Sequence, residues 1–127
     1  MDQGTLVAMQ IDGGKALLES LRDETGFDVT VCGWTKSSEE GDWYLYIASK
    51  DVDDRGLADA YRKVYTTIKA NPEIGIDPFE VKLVGQHNPI AKDLLDIRGA
   101  GVARIATRSR RPKLGQMSVE ETYVYTT

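Results

Sequence analysis

Cysteine, histidine and long apolar runs are nearly missing from this chain, and each shortage closes off a class of protein. Cys32 is the only cysteine, so neither an internal disulfide nor a cysteine-rich zinc site can form. His87 is the only imidazole available for acid–base work. No apolar run reaches membrane-spanning length, and Leu6 to Met9, followed by Asp12, is too short for the apolar core of a signal peptide. A cytoplasmic location without membrane contact is the resulting expectation. No G-x-S-x-G motif occurs, so the strained serine elbow of the α/β hydrolases is excluded. Acids are missing from one long stretch, since none lies between Asp96 and Glu120.

That last gap is where the positive charge collects. Arg98, Arg104, Arg108, Arg110, Arg111 and Lys113 fall inside it, six of the 16 basic residues. The remaining ten share the rest of the chain with all 20 acids, so a local +6 stands beside a body of −10. Such a patch acts on partners before contact is made. A sequence pI of about 5.0 argues against indiscriminate nucleic-acid binding by the whole surface, while a local basic patch remains compatible with it.

The length of 127 residues predicts one α/β domain spanning residues 1–127. A chain of that size buries roughly two-thirds of its unfolded surface and folds without staples. Asp12 reads as the cap of a helix over 13–25, with Leu17, Leu18 and Leu21 on one face and Gly26 as its stop. Phe27, Val29 and Val31 alternate with polar or small residues as a strand does, and 43–49 is a second strand rich in aromatic and β-branched residues. Asp53 reads as the cap of a helix over 54–70, ended by Asn71 and Pro72. A strand over 79–85, a helix opened by Asn88-Pro89, and strands near 102–108 and 118–126 complete the pattern.

The order α-β-β-α-β-α-β-β predicts an α+β, two-layer α/β sandwich. It has a mixed five-stranded sheet, parallel across the long helix, with helices mainly on one face. The runs Asp12 to Trp34 and Leu45-Tyr46-Ile47-Ala48-Ser49 through Val52, Asp53, Gly56, Ala60 and Tyr61 resemble part of a small bacterial protein family with no assigned activity. That resemblance covers about the first half of the chain and implies a shared fold without a catalytic residue.

Several motifs fail on their own chemistry. Asp51, Asp53, Asp54 and Gly56 imitate the start of a calcium loop, but Arg55 and Arg62 occupy positions that need oxygen ligands. Gly13-Gly14-Lys15 imitates a phosphate loop, yet Met9 and Ala16 stand where glycine and Ser or Thr are required. No metal or cofactor site is therefore predicted. Cys32 lies mid-strand, where a thiol behaves as a small hydrophobe.

Two readings of function survive. Alternation sends Tyr44 and Tyr46 to the sheet face opposite Trp43, Leu45 and Ile47. With three helices too few for both faces, Tyr44, Tyr46, Tyr123 and Tyr125 are expected on an open face that a second copy would cover. Base stacking is the lesser alternative, because no strand matches the RNP1 pattern. Arg104, Arg108, Arg110, Arg111 and Lys113 would form a projecting cationic hairpin for an anionic partner, nucleic acid being one, through phosphate contacts. The favoured reading is thus a non-enzymatic, homodimeric binding domain. The alternative is a small-ligand-binding protein or enzyme using Lys50, Asp51, Gln86 and His87 beyond the carboxyl ends of parallel strands.

Overall fold

A computed structural model describes residues 8–37, 42–100, 106–109, 113–115 and 117–125. Its elements are α1 (Ala8–Thr25), β1 (Val29–Ser37), β2 (Trp43–Ser49), α2 (Lys50–Arg55), α3 (Leu57–Ala70), β3 (Val81–Gly85), α4 (Pro89–Ala100), β4 (Ala106–Ser109), β5 (Lys113–Leu114) and β6 (Met117–Tyr125). The fold is α+β with a mixed sheet. Its strands run β3-β2-β1-β6-β4, and β5 also pairs with β6. β2 and β3 are parallel, as a crossover through α2 and α3 demands, and the other pairs are antiparallel.

Two helix starts differ from the sequence reading. α1 begins at Ala8, so Asp12 is no cap, and Gly13 and Gly14 lie inside the helix rather than at an anion-binding terminus. Both glycines are there for close approach. A Cβ on Gly13 would stand 2.6 Å from the Ile74 carbonyl oxygen, and one on Gly14 would stand 3.1 Å from Trp34 Nε1 and overlap the Tyr125 hydroxyl. The helix over 54–70 is divided by Gly56, whose φ of 92° only glycine holds without strain. Ser49 rather than Asp53 caps α2, accepting from the Asp51 amide at 3.0 Å. At the other end of α1, Thr25 donates to the Leu21 carbonyl at 2.7 Å and Phe27 N donates to it at 3.0 Å, closing the helix around Gly26.

The sheet carries helices on both faces, which corrects the expected two-layer arrangement. On one face Leu17, Leu18 and Leu21 of α1 and Ala60, Val64 and Ile68 of α3 pack on Cys32, Trp34, Leu45, Ile47, Val81, Leu83 and Tyr125. On the other, Ala91, Leu94 and Ile97 of α4 pack on Val31, Ala48, Val119 and Val124, with Tyr46 and Val84 at the margin. Each Val, Leu or Ile side chain so buried contributes about 1.5–3 kcal/mol. The second face is too apolar to be left in water, and α4 is the helix that covers it. Gly33 answers to β6 rather than to α4, because a Cβ there would stand 2.9 Å from the Tyr123 carbonyl oxygen.

The four tyrosines consequently do not share an open face. Tyr123 and Tyr125 face α1 and α3, stacked edge to face at 5.6 Å. Tyr46 lies beside α4, and the half-buried Tyr44 carries Lys82 Nζ 4.9 Å from its ring centroid. Tyr125 is 2 % exposed and belongs to the core.

Candidate functional site

The terminal hairpin is built along β6. Ser109 opposes Thr122 and Lys113 opposes Ser118, each four residues on, so β4 and β5 pair with β6 in one register on either side of residues 110–112. Arg108 stands opposite Tyr123 and Lys113 opposite Ser118. Arg104, Arg110 and Arg111 lie outside the described residues. The turn falls just beyond Leu114, in the gap between the strands predicted near 102–108 and 118–126, and Lys113 belongs to the strand arm.

This turn does not project. Gly115, at φ 59°, donates its amide to Asp93 Oδ2 at 2.6 Å. A Cβ at Gly115 would stand 3.2 Å from Ile90 Cγ1 and 3.3 Å from Pro89 Cβ. The hairpin end is therefore docked on the first turns of α4, held by a charge-assisted hydrogen bond. Arg98, the first cation of the basic run, is half-buried and donates from Nη1 to the Thr30 carbonyl at 3.1 Å, which ties α4 to β1. It serves packing, and Asp93 is the residue that sequence reasoning missed. No local signal marks a helical aspartate as the anchor of a turn 22 residues away.

The alternative site is brought together in part. β2 and β3 end side by side, with Ser49 opposite Gly85, so α2 and the turn after β3 emerge at the same sheet edge. The crevice position beyond these strand ends is taken by α2 itself. Asp51 reaches towards β1, its Oδ2 accepting the Asp28 amide at 3.2 Å. Asp53 reaches the other way, its Oδ2 accepting the Gln86 amide at 2.8 Å. Gly85 leaves room for this carboxylate, since a Cβ there would displace the Asp53 side chain from the Gln86 amide. Ser49 completes the clamp by donating to the Asp28 carbonyl at 2.5 Å. Lys50 and His87 are exposed. Asn88 caps α4 through Oδ1, which accepts from Ile90 N at 2.8 Å. Carboxylates that looked like ligands thus hold backbone amides, and among the described residues no cluster of three or more His, Cys, Asp and Glu could hold a metal ion.

The one cysteine is built against reactivity. Cys32 is buried in the core, and burial pushes its thiol well above the usual range, with Arg22 opposing the shift only in part. Tyr125 is likewise held neutral, chiefly by burial. Its hydroxyl accepts from Trp34 Nε1 at 3.0 Å and donates to the Ile11 carbonyl at 2.6 Å. This chain joins β1, β6 and α1, with both hydroxyl roles used.

A shallow depression of about 610 Å³ lies on the outer side of α3, lined among the described residues by Tyr61, Arg62, Tyr65, Thr66, Lys69 and Ala70. These described residues all belong to one helix. Comparison with protein-family models, with curated proteins and with solved structures gives no match for this chain.

Proposed function

We propose that this protein is a non-enzymatic binding domain that works as a homodimer and engages an anionic partner along the β4–β5 arm of its terminal hairpin. The observation that carries the reading is the shared register of β4 and β5 on β6, which puts Arg108 and Lys113 on one arm with Arg110 and Arg111 between them in sequence. Docking of Gly115 on Asp93 supports an arm that meets its partner as a preordered margin of the sheet. A single-stranded or duplex nucleic acid is the partner chemistry we favour, because a run of guanidinium groups matches a run of phosphates.

The burial of Cys32 and the use of Asp51 and Asp53 to hold backbone amides favour binding over catalysis. They also leave the small-ligand reading around Lys50, Asp51, Gln86 and His87 with less support.

Fluorescence anisotropy with a labelled oligonucleotide tests the proposal. Binding should weaken steeply as salt rises, because displaced counterions drive it. Arg110→Ala with Arg111→Ala should weaken it further and lower the salt slope by about two. Binding that ignores both salt and these substitutions would exclude a nucleic-acid partner.

A further inference from the structure

The outer face of α3 carries an exposed aromatic on a charged stripe that is complementary to itself. Asp59, Arg62, Thr66 and Lys69 follow one another at spacings of three, four and three, which keeps them on a single seam of the helix. The buried side is Ala60, Val64, Thr67 and Ile68, so the seam faces outward. Tyr65, 52 % exposed, flanks it together with the small residues Ala58 and Ala70, and among the described residues the depression is lined by this helix.

We infer that α3 is the surface through which two copies of this chain pair, antiparallel about a two-fold axis at the level of Val64. The inference rests on the homodimer reading above and specifies its surface. Charge order decides the occupant. The acid of the seam lies in the first turn and a cation in the last, ten positions apart or about 15 Å along the axis. Reversing a second copy places its Lys69 beside Asp59, and its Asp59 beside Lys69, so both pairs form at once. The same symmetry sets Arg62 against Thr66, a small residue that admits the long side chain. Arg62 engages Asp59 Oδ1 of its own helix at 2.9 Å, which leaves Oδ2 for the incoming ammonium. Tyr65 meets its own counterpart across the axis, where an exposed aromatic loses contact with water. A parallel arrangement would oppose acid to acid and cation to cation.

Sedimentation velocity over a concentration series, on the full chain, tests this directly. Lys69→Glu and Asp59→Lys should each raise the dimer dissociation constant by about tenfold, since two symmetry-related pairs are lost together. The double variant Asp59→Lys/Lys69→Glu should restore it, and Tyr65→Ser should weaken it with the charges intact. Circular dichroism checks that each variant keeps its helix. A dimer indifferent to both reversals would overturn the α3 assignment while leaving the homodimer reading in place. A chain monomeric at every concentration, including one whose α3 face takes some other partner, would overturn both.

Discussion

Leu83 donates its backbone amide to the hydroxyl of Tyr61 at 3.0 Å, and that hydroxyl turns to the Val81 carbonyl at 3.4 Å. Residues 81 and 83 present these groups to the same side of β3, the outermost strand of the sheet. One phenol therefore occupies the place that the peptide group of a neighbouring strand would take. It comes from α3, the helix that connects β2 to β3, so the crossover closes the sheet edge it creates. Tyr61 thus satisfies two of the backbone groups along β3.

Removing that hydroxyl should be costly for so small a change. Tyr61→Phe leaves the ring in place and the Leu83 amide without its acceptor, a loss of about 1–3 kcal/mol. Urea denaturation should report it, and hydrogen exchange at the Leu83 amide should accelerate more than at Ile47 in the neighbouring strand.

Two glycine substitutions should move stability in opposite directions. Gly14→Ala places a methyl group against the Tyr125 hydroxyl and Trp34 Nε1, where nothing flexible can yield, and should cost about 1–3 kcal/mol. Gly99→Ala, in α4 with nothing among the described residues within 4 Å of the new Cβ, should stabilise by up to about 1 kcal/mol through helix propensity. Thermal melts of the two variants beside the parent provide the comparison.

Stability should fall in alkali because burial raises the Cys32 thiol above its unfolded value. In the unfolded chain the thiol ionises near about pH 8.5, while in the folded chain it stays protonated, so the stabilising term is complete below that pH. Above it the unfolded state is favoured by up to about 1.4 kcal/mol per pH unit. Tyr125, raised in the same direction, adds a second decline above about pH 10. Urea midpoints measured from pH 7 to 10 should drop, and Cys32→Ala should flatten the part that begins near the thiol range.

Asp93 should govern the order of the hairpin turn. Asp93→Ala removes the acceptor of the Gly115 amide, and a hydrogen bond to a charged group contributes about 1.5–3 kcal/mol. Exchange at Gly115 should quicken strongly while the Trp34 and Leu45 amides stay protected. If the arm binds through preordering, affinity for an oligonucleotide should fall without a change in salt slope, because no phosphate contact is lost.

Much of the architecture was written in local pattern. Alternation along 43–49 announced β2, and of the residues at helical spacing in α3 Ala60, Val64 and Ile68 are buried, Tyr61 is half-buried and Leu57 is exposed. The stop at Gly26 and the start at Asn88-Pro89 follow from backbone chemistry that neighbouring residues set by themselves. Uneven charge is likewise a property of the chain alone, as is the shortage of cysteine and histidine.

What the residues did beyond their own segment was decided only by the packed structure. Asp51 and Asp53 looked like ligands or caps, and became clamps because β1 and β3 flank the end of β2 and offer unpaired amides there. Tyr125 looked like a surface aromatic, and became core because α1 crosses β6 where its glycines allow contact. Which face α4 covers, and which carboxylate anchors the hairpin turn, depend on contacts between residues tens of positions apart. Local propensity carries no term for such pairs; they are selected by burial and hydrogen-bond satisfaction once the elements meet.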